Sequence, residues 1–199
     1  VPGEQPNLPD MVKLNTNENP YPPSPKVAEA LQKFELDSLR LYPDPASTDL
    51  VNALAERYHV QADQVYTGVG SDDVLAIAFL TFFNSGKPIL FPDITYSFYD
   101  VWAELFQIPY ERPALDDAFA LRLEDYQCEN GGIVIANPNA PTGIRQSEEF
   151  LRAVIEANPN VVVIIDEAYA DFSGYTALPL VDEYELSLIH ISEPTRLRR

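Results

Sequence analysis

The sequence predicts an α/β fold with a mostly parallel sheet that helices cover on both faces. Three short runs, PILF, GIVIA and VVVII, are apolar at consecutive positions, which is typical of strands buried on both faces. Segments with helical spacing of apolar residues lie between these runs, so the strands are expected to be joined by helical crossovers. The composition permits this fold, because 199 residues with 46% hydrophobic content can bury a core.

The residues before this alternating pattern divide into two predicted segments. Residues 1–25 are rich in proline and asparagine without a sustained period, and we expect an extended arm that ends in a loop. Residues 26–64 contain two predicted helices, KVAEALQKF and TDLVNALAERYH, because their apolar residues recur at helical spacing. Ser24 followed by Pro25 is typical of a helix N-terminus, so the first helix is expected to begin there.

Residues 65–186 are predicted to carry the alternating strands and helices of the main domain. The predicted strands are VYT (65–67), PILF (88–91), IPYER (108–112), GGIVIAN (131–137) and VVVIID (161–166). The predicted helices are VLAIAFLTFF, TYSFYDVWAELF and SEEFLRAVIEAN, the last of which is capped at Ser147.

The last segment, residues 187–199, differs from the rest of the chain in composition. The whole chain has a net charge of -18, yet this segment holds three arginines and one glutamate. We expect a tail that is not native, for instance a translated adapter, and leave it out of the predicted fold. The alternative is a native basic tail.

The acidic composition of the chain disfavours some classes of binding partner. With 31 acidic and 13 basic residues, the chain is expected to repel nucleic acid and anionic membranes. One cysteine excludes an internal disulfide framework, and no apolar run has the length of a membrane span. The first residues also lack the pattern of a secretory signal. We therefore expect a cytoplasmic protein that acts on small molecules and binds neither nucleic acid nor membrane.

Four polar segments follow predicted strands, namely GVGSDD, PDITYSFY, NPNAPTG and DEAYADF. Ligands of open parallel sheets bind outside the carboxyl ends of the strands, so these segments are the candidate site. In GVGSDD, the glycines and the free N–H groups at a helix start, together with Ser71 Oγ, are suited to a phosphate. Ser71 is equally suited to be an ordinary N-cap. The segment matches neither GxGxxG nor the P-loop pattern, which disfavours a nucleotide.

Asp166 is predicted to be partly buried, because it ends a strand of β-branched residues, and it then needs a cationic partner. A protonated pyridine nitrogen is one such partner, and the alternative is that Asp166 caps a helix through AYADF. Glu167 beside it suggests a metal pair, but the two histidines, His59 and His190, are not its neighbours in sequence, so we expect no metal site. Tyr96 follows a strand end, where its ring would either stack on a flat ligand or belong to the core.

In their order and spacing, LNTNENPYPPSP, RLYPDP and the four loop segments resemble the fold-type I aminotransferases that depend on pyridoxal 5'-phosphate. Within them, the chain is most similar to the histidinol-phosphate aminotransferases, over roughly residues 10 to 175. The resemblance implies that residues 26–64 begin the small domain and that residues 65–186 are a truncated, cofactor-binding large domain. It also implies a homodimer when the protein is full length.

The implied reaction is transamination between histidinol phosphate or imidazole acetol phosphate and 2-oxoglutarate or glutamate, in histidine biosynthesis. Another class I or II aminotransferase and a phospho-threonine decarboxylase of the same family are the alternatives within this enzyme class. The alternative that is not an enzyme is a fragment that binds the cofactor without catalysing a reaction.

The resemblance also implies a role for each site residue. The residues implied to hold the cofactor within one subunit are Gly70, Ser71 and Asp72 at the phosphate, Tyr96 on the ring, Asp166 at the ring nitrogen, and Tyr169 at the phenolic oxygen. Tyr42 would reach the phosphate of the cofactor in the neighbouring subunit. Asn17 and Tyr21 would lie near the substrate.

Two departures from the family pattern concern this site. Family members commonly have asparagine immediately before PTG, where it hydrogen-bonds the phenolic oxygen, whereas this chain has Ala140. Either Asn137 or Asn139 supplies that amide, with Asn139 as the candidate, or the bond is missing. The second departure is the lysine that forms a Schiff base with the cofactor, because none of the four lysines, Lys13, Lys26, Lys33 and Lys87, follows DEAY. We therefore expect this chain to be inactive by itself.

Overall fold

The computed structural model describes residues 12–13, 19 and 21–190, and the chain forms two compact units, Val1–Ala46 and Ser47–Arg199. In the first unit, helix α1 spans Pro25–Gln32 and begins as predicted, since the Ser24 hydroxyl accepts a hydrogen bond from Lys26 N at 3.4 Å. A 3-10 helix, Leu36–Arg40, follows it. The sequence grouped α2 with α1, but α2 belongs to the second unit, where its Ala55 is buried.

The second unit is built on a sheet of five parallel strands in the order β2-β1-β3-β4-β5. The strands are β1 (Ile89–Leu90), β2 (Tyr110–Glu111), β3 (Ile133–Ala136), β4 (Val163–Asp166) and β5 (Ser187–His190). The predicted α/β class and the parallel sheet are thus confirmed.

Helices lie on both faces of this sheet. The described helices of this unit are α2 (Thr48–Tyr58), α3 (Ser71–Phe82), α4 (Phe98–Leu105), α5 (Glu148–Ala157), α6 (Ala170–Ser173) and α7 (Leu180–Glu183). Helices α3 and α4 bury their apolar side chains in one core, and α5 and α7 bury theirs in the other. Helix α5 is capped as predicted, because Ser147 Oγ accepts a hydrogen bond from Phe150 N at 3.2 Å.

Strand β3 shows why the apolar runs have no polar alternation. Val134 and Ala136 face the core beneath α3 and α4, whereas Ile133 and Ile135 face the core beneath α5. Successive side chains of a strand point to opposite faces, so a strand between two helical layers needs apolar residues at every position.

Two parts of the sheet differ from the prediction. Residues 65–67 were predicted as a strand, but they are hydrogen-bonded in no ladder with a described strand, although Val65 has extended torsions of -112° and 122°. Local β-propensity alone does not make a strand, because a strand also needs a partner. Conversely, Ser187–His190 was left out of the fold with the tail, yet it forms β5 beside β4. The arginines that dominated that interpretation come later, and Leu188 and Ile189 suit a strand.

No helix within residues 21–190 is long and apolar enough to cross a membrane.

Candidate active site

A pocket of about 300 Å³ lies at the carboxyl ends of β3 and β4, beside the first turn of α3. Its polar lining consists of Ser71, Asp72, Asp73, Tyr96, Asp166 and Tyr169. None of the described residues that line it is a lysine or an arginine. The edge of the sheet is the one at which open parallel sheets bind ligands.

The first turn of α3 presents free backbone donors to this pocket. The first intrahelical bond runs from Val74 N to Gly70 O at 3.2 Å, so the N–H groups of the preceding helical residues have no acceptor within the helix. Gly70 has a φ of +125°, which side-chain-bearing residues rarely adopt, and it turns the chain into the helix. Such a helix N-terminus attracts a phosphate through its donors and its dipole.

The carboxylates in this first turn are already engaged. Asp72 Oδ1 accepts a hydrogen bond from the hydroxyl of Tyr96 at 2.7 Å, and Asp73 Oδ2 accepts one from Val69 N at 3.2 Å. Each carboxylate therefore already accepts a hydrogen bond from within the protein.

Asp166 is the last residue of β4 and is 4% exposed. Its Oδ2 accepts a hydrogen bond from the hydroxyl of Tyr99 at 2.6 Å, and its Oδ1 accepts one from Ala168 N at 3.1 Å. A buried carboxylate is costly unless it is paired, and no described lysine or arginine lines the pocket that this one faces. The arrangement suits a ligand that brings a positive charge to Asp166.

His190, on β5, lies close to both Ser71 and Asp166. Its Nε2 lies 2.8 Å from Ser71 Oγ and 3.9 Å from Asp166 Oδ1, and the residue is 4% exposed. In this structure the Ser71 hydroxyl is therefore bonded to the imidazole, and a ligand phosphate would compete with that bond.

Tyr96 forms one wall of the pocket. Its ring stacks on Phe98 at a centroid distance of 5.6 Å and meets Tyr99 edge-on, also at 5.6 Å. Burial and the hydrogen bond to Asp72 raise the pKa of Tyr96 above its ordinary value, so the hydroxyl stays protonated and remains a donor. The ring is consequently held in place from two sides.

Glu167 follows Asp166 but serves a different purpose. It is 2% exposed, its Oε1 accepts a hydrogen bond from Ala177 N at 2.6 Å, and its Oε2 accepts one from the hydroxyl of Thr176. Burial raises its pKa to about 7, although these two hydrogen bonds oppose the shift. Glu167 anchors the segment after α6 and does not line the pocket.

The amides of NPNAPTG are directed into the protein. Asn139 Oδ1 accepts a hydrogen bond from Thr95 Oγ1 at 2.8 Å, and its Nδ2 donates to Ile94 O at 2.9 Å and to Thr142 Oγ1 at 3.0 Å. Asn137 Oδ1 accepts from Gln146 N at 2.7 Å. Neither asparagine lines the pocket, whereas Pro138 and Ala140 do.

The sequence of the chain matches a known protein family over most of its length. The family model described as aminotransferase class I and II matches residues 9–192. The chain belongs to this family. That membership confirms the family resemblance seen in the loop segments.

Curated members of this aminotransferase family are close in sequence. The histidinol-phosphate aminotransferase of Lactococcus lactis subsp. cremoris (strain MG1363) is 51% identical over 185 residues, covering 93% of this chain and 52% of that protein. The enzyme of the same name from Pseudomonas putida (strain W619) is 53% identical over 189 residues, covering 95% of this chain and 54% of that protein. The chain thus spans about half the length of these relatives.

Among solved aminotransferases, the crystal structure of histidinol-phosphate aminotransferase from Sinorhizobium meliloti in complex with pyridoxal-5'-phosphate has the same fold. Its TM-score is 0.67 at 22% identity, over 75% of this chain and 42% of that chain.

The structure brings most of the predicted aminotransferase site residues together. Those that line the pocket are Gly70, Ser71, Asp72, Tyr96, Asp166 and Tyr169. Asn139, by contrast, is 3% exposed and uses its amide inside the protein. Tyr21 and Tyr42 belong to the first unit and are exposed, and Asn17 lies outside the described residues.

Sequence reasoning missed Tyr99. It was counted only as part of the helical pattern of TYSFYDVWAELF, yet its hydroxyl bonds Asp166. A signal was present, because Tyr99 follows Tyr96 by three residues, and such residues are neighbours on one side of a helical turn.

Proposed function

We propose that the protein is an aminotransferase that depends on pyridoxal phosphate. The observation that carries this proposal is the position of Asp166, a buried carboxylate that faces a pocket lined by no described lysine or arginine. The start of α3, which is suited to a phosphate, lines the same pocket. A ligand with a phosphate at one end and a cationic ring nitrogen at the other satisfies both features.

The residues present fit that cofactor. The N–H groups of the first turn of α3 and the Ser71 hydroxyl would hold the phosphate, with Gly70 and Asp72 shaping the turn. Asp166 would pair with the ring nitrogen, Tyr96 would stack on the ring, and Tyr169 would donate to the phenolic oxygen. When bound, pyridoxal phosphate supplies an electron sink for negative charge that develops on the α-carbon of the substrate.

The protein contributes positioning and electrostatics. Asp166 would keep a proton on the ring nitrogen, since a nearby negative charge favours the cationic form of a base. The ring of Tyr96 would shield the cofactor ring from water, while its hydroxyl stays bonded to Asp72. Tyr169 precedes α6 and lines the same pocket, so its hydroxyl would be a donor for the phenolic oxygen of the cofactor.

For the full-length protein, we propose that the substrates are histidinol phosphate or imidazole acetol phosphate, paired with glutamate or 2-oxoglutarate. The support is the identity of more than half of the aligned residues with relatives named for this activity. The proposed setting is the cytoplasm, and the proposed assembly is a homodimer in which Tyr42 contacts the cofactor of the other subunit. Asn17 and Tyr21 are proposed to lie near the substrate.

The cofactor proposal is tested by binding to the 199-residue chain. Asp166→Asn removes the charge and keeps the shape, and it is expected to weaken pyridoxal phosphate binding about tenfold or more. The matched control is Asp117→Asn, because Asp117 is exposed and does not line the pocket. Fluorescence titration gives both dissociation constants. Equal affinity of Asp166→Asn and the unaltered chain would contradict the proposal.

The substrate proposal is tested with the full-length protein. Histidinol phosphate and 2-oxoglutarate are expected to yield glutamate at a kcat/KM well above that for aromatic or aliphatic amino acids. Release of carbon dioxide from phosphothreonine would instead favour the decarboxylase.

The shared site is tested by mixing variants of the full-length protein. Tyr42→Ala and Asp166→Ala would each inactivate every site of their own homodimer. Random heterodimers would regain one intact site, so the mixture is expected to recover about a quarter of the activity. No recovery after subunit exchange would contradict shared sites.

A further inference from the structure

Tyr99 lies behind the pocket and contacts it only through other residues. It is on α4, it is 0% exposed, and it does not line the pocket. Its hydroxyl donates a hydrogen bond of 2.6 Å to Asp166 Oδ2, across 67 positions of sequence. A bond of this length between a phenol and a carboxylate is charge-assisted, and such bonds are about twice as strong as neutral ones.

The two oxygens of Asp166 are held from different elements. Oδ1 accepts from Ala168 N in the loop that follows β4, and Oδ2 accepts from Tyr99 on α4. With one oxygen bonded only to its own loop, the carboxylate would still turn about its side-chain torsions. The second bond, from a helix packed on the sheet, fixes the plane of the carboxylate.

The ring of Tyr99 is packed against other aromatic rings on several sides. Its ring is stacked on Phe79 at 6.1 Å and lies edge-on to Phe91 at 5.8 Å, within the core beneath α3 and α4. It also meets Tyr96 edge-on at 5.6 Å. Burial, and then the charge of Asp166, raise the pKa of Tyr99 well above its ordinary value, so its hydroxyl remains a donor at neutral pH.

We propose that Tyr99 is a positioning residue, which orients the carboxylate of Asp166 toward a cationic ring nitrogen in the pocket. This inference rests on the proposed function, because it assigns Tyr99 a part in recognising the same cofactor. It assigns a role to a residue that touches neither cofactor nor substrate.

The test compares two ligands, pyridoxal phosphate and its 1-deaza analogue, which carries carbon in place of the ring nitrogen. Tyr99→Phe removes the hydroxyl of the 199-residue chain and keeps the ring. It is expected to weaken pyridoxal phosphate binding about tenfold and to leave binding of the deaza analogue within about twofold. A purely structural role would weaken both ligands alike.

Tyr126→Phe is the matched control, because Tyr126 is 1% exposed, packs in the core on the other face of the sheet and does not line the pocket. It is expected to leave both dissociation constants unchanged. Thermal melting of each variant shows whether it is folded.

The outcomes separate this inference from the proposed function. If the unaltered chain binds both ligands equally or binds neither, the role of Asp166 and the proposed function fail, and this inference fails with them. If the unaltered chain prefers pyridoxal phosphate and Tyr99→Phe retains that preference in full, only the role of Tyr99 is overturned.

A double variant tests the same role of Tyr99 if the single variant Tyr99→Phe does not fold. Asp166→Asn with Tyr99→Phe leaves no unpaired buried carboxylate, so it is compared with Asp166→Asn alone. Equal dissociation constants for pyridoxal phosphate in these two proteins support a role that acts through Asp166. A further loss in the double variant overturns it.

Discussion

The side-chain oxygen of Asn139 lies 2.8 Å from the hydroxyl of Thr95, and this bond joins the loop after β3 to the loop after β1. The amide nitrogen of Asn139 donates to Ile94 O in the same loop as Thr95, and to Thr142 Oγ1 in its own. Asn139 therefore links two loops that border the pocket. Tyr96, next to Thr95, and Ala140, next to Asn139, both line it.

Asn139→Ala is expected to lower the free energy of unfolding by about 2 to 3 kcal/mol. The substitution leaves buried donors and acceptors without a partner, and each unsatisfied group costs about 1 to 3 kcal/mol. Urea denaturation of the 199-residue chain measures the change. The control is Asn84→Ala, since Asn84 is exposed and its amide donates to Thr81 O at 3.3 Å. If the free energy of unfolding falls no more than in the control, Asn139 does not link the two loops in the way the structure indicates.

Ala140→Asn is expected to tighten pyridoxal phosphate binding about fivefold. Ala140 lines the pocket, whereas Asn137 does not and the amide nitrogen of Asn139 donates elsewhere, so a new amide at 140 would add a donor near the phenolic oxygen. A hydrogen bond of this kind contributes about 1 kcal/mol. Ala140→Leu has a side chain of similar size without the amide and is expected to weaken binding. If the two substitutions have the same effect on the dissociation constant, no such bond forms.

Gly70→Ala is expected to weaken binding of pyridoxal phosphate several-fold. No atom lies within 4 Å of an added Cβ, so the effect comes from the backbone, whose φ of +125° an alanine resists. Relaxation of that torsion would turn the N–H groups of α3 away from the phosphate. Gly86→Ala is the control, because Gly86 also has a positive φ, of +76°, and open space around it, but does not line the pocket. Both variants should lose stability, Gly70→Ala more than Gly86→Ala, and only Gly70→Ala should lose affinity.

Glu167 is expected to make stability depend on pH between about 4.5 and 7. Its pKa in the folded chain is raised to about 7 from an ordinary 4.5, so the folded state binds the proton more tightly than the unfolded state does. Its contribution is therefore fully present below about pH 4.5 and is lost as the pH rises through 7, by about 3 kcal/mol. Unfolding in urea at a series of pH values measures this decline.

Glu167→Gln serves as the comparison for that pH series. The amide oxygen of glutamine can still accept from Ala177 N, but the side chain does not titrate. The decline between pH 4.5 and 7 is expected to be smaller in this variant by the contribution of Glu167. Identical slopes in the two proteins would show that the pKa of Glu167 is the same in the folded and the unfolded chain.

Much of the fold was accessible from the sequence because it depends on local patterns. Apolar runs predicted β1, β3 and β4, and helical spacing predicted α1, α2 and α5 within a few residues of their ends. The helix after TYSF begins only at Phe98, since residues 95–97 form a turn at the pocket rim. Segments that follow strands of a parallel sheet share one edge, which is why the candidate site could be predicted as a set.

By itself, the sequence determined the class of fold and the edge of the sheet at which the four polar loop segments lie. These follow from the period of apolar residues and from the types of residue that end each strand. Only the tertiary structure decided that Tyr99 bonds Asp166 across 67 positions of sequence and that Asn139 bonds Thr95 across 44. It also decided that residues 65–67 pair with no described strand, while residues 187–190 join the sheet. Side-chain direction and strand partners depend on contacts between distant parts of the chain, and a local pattern carries no information about them.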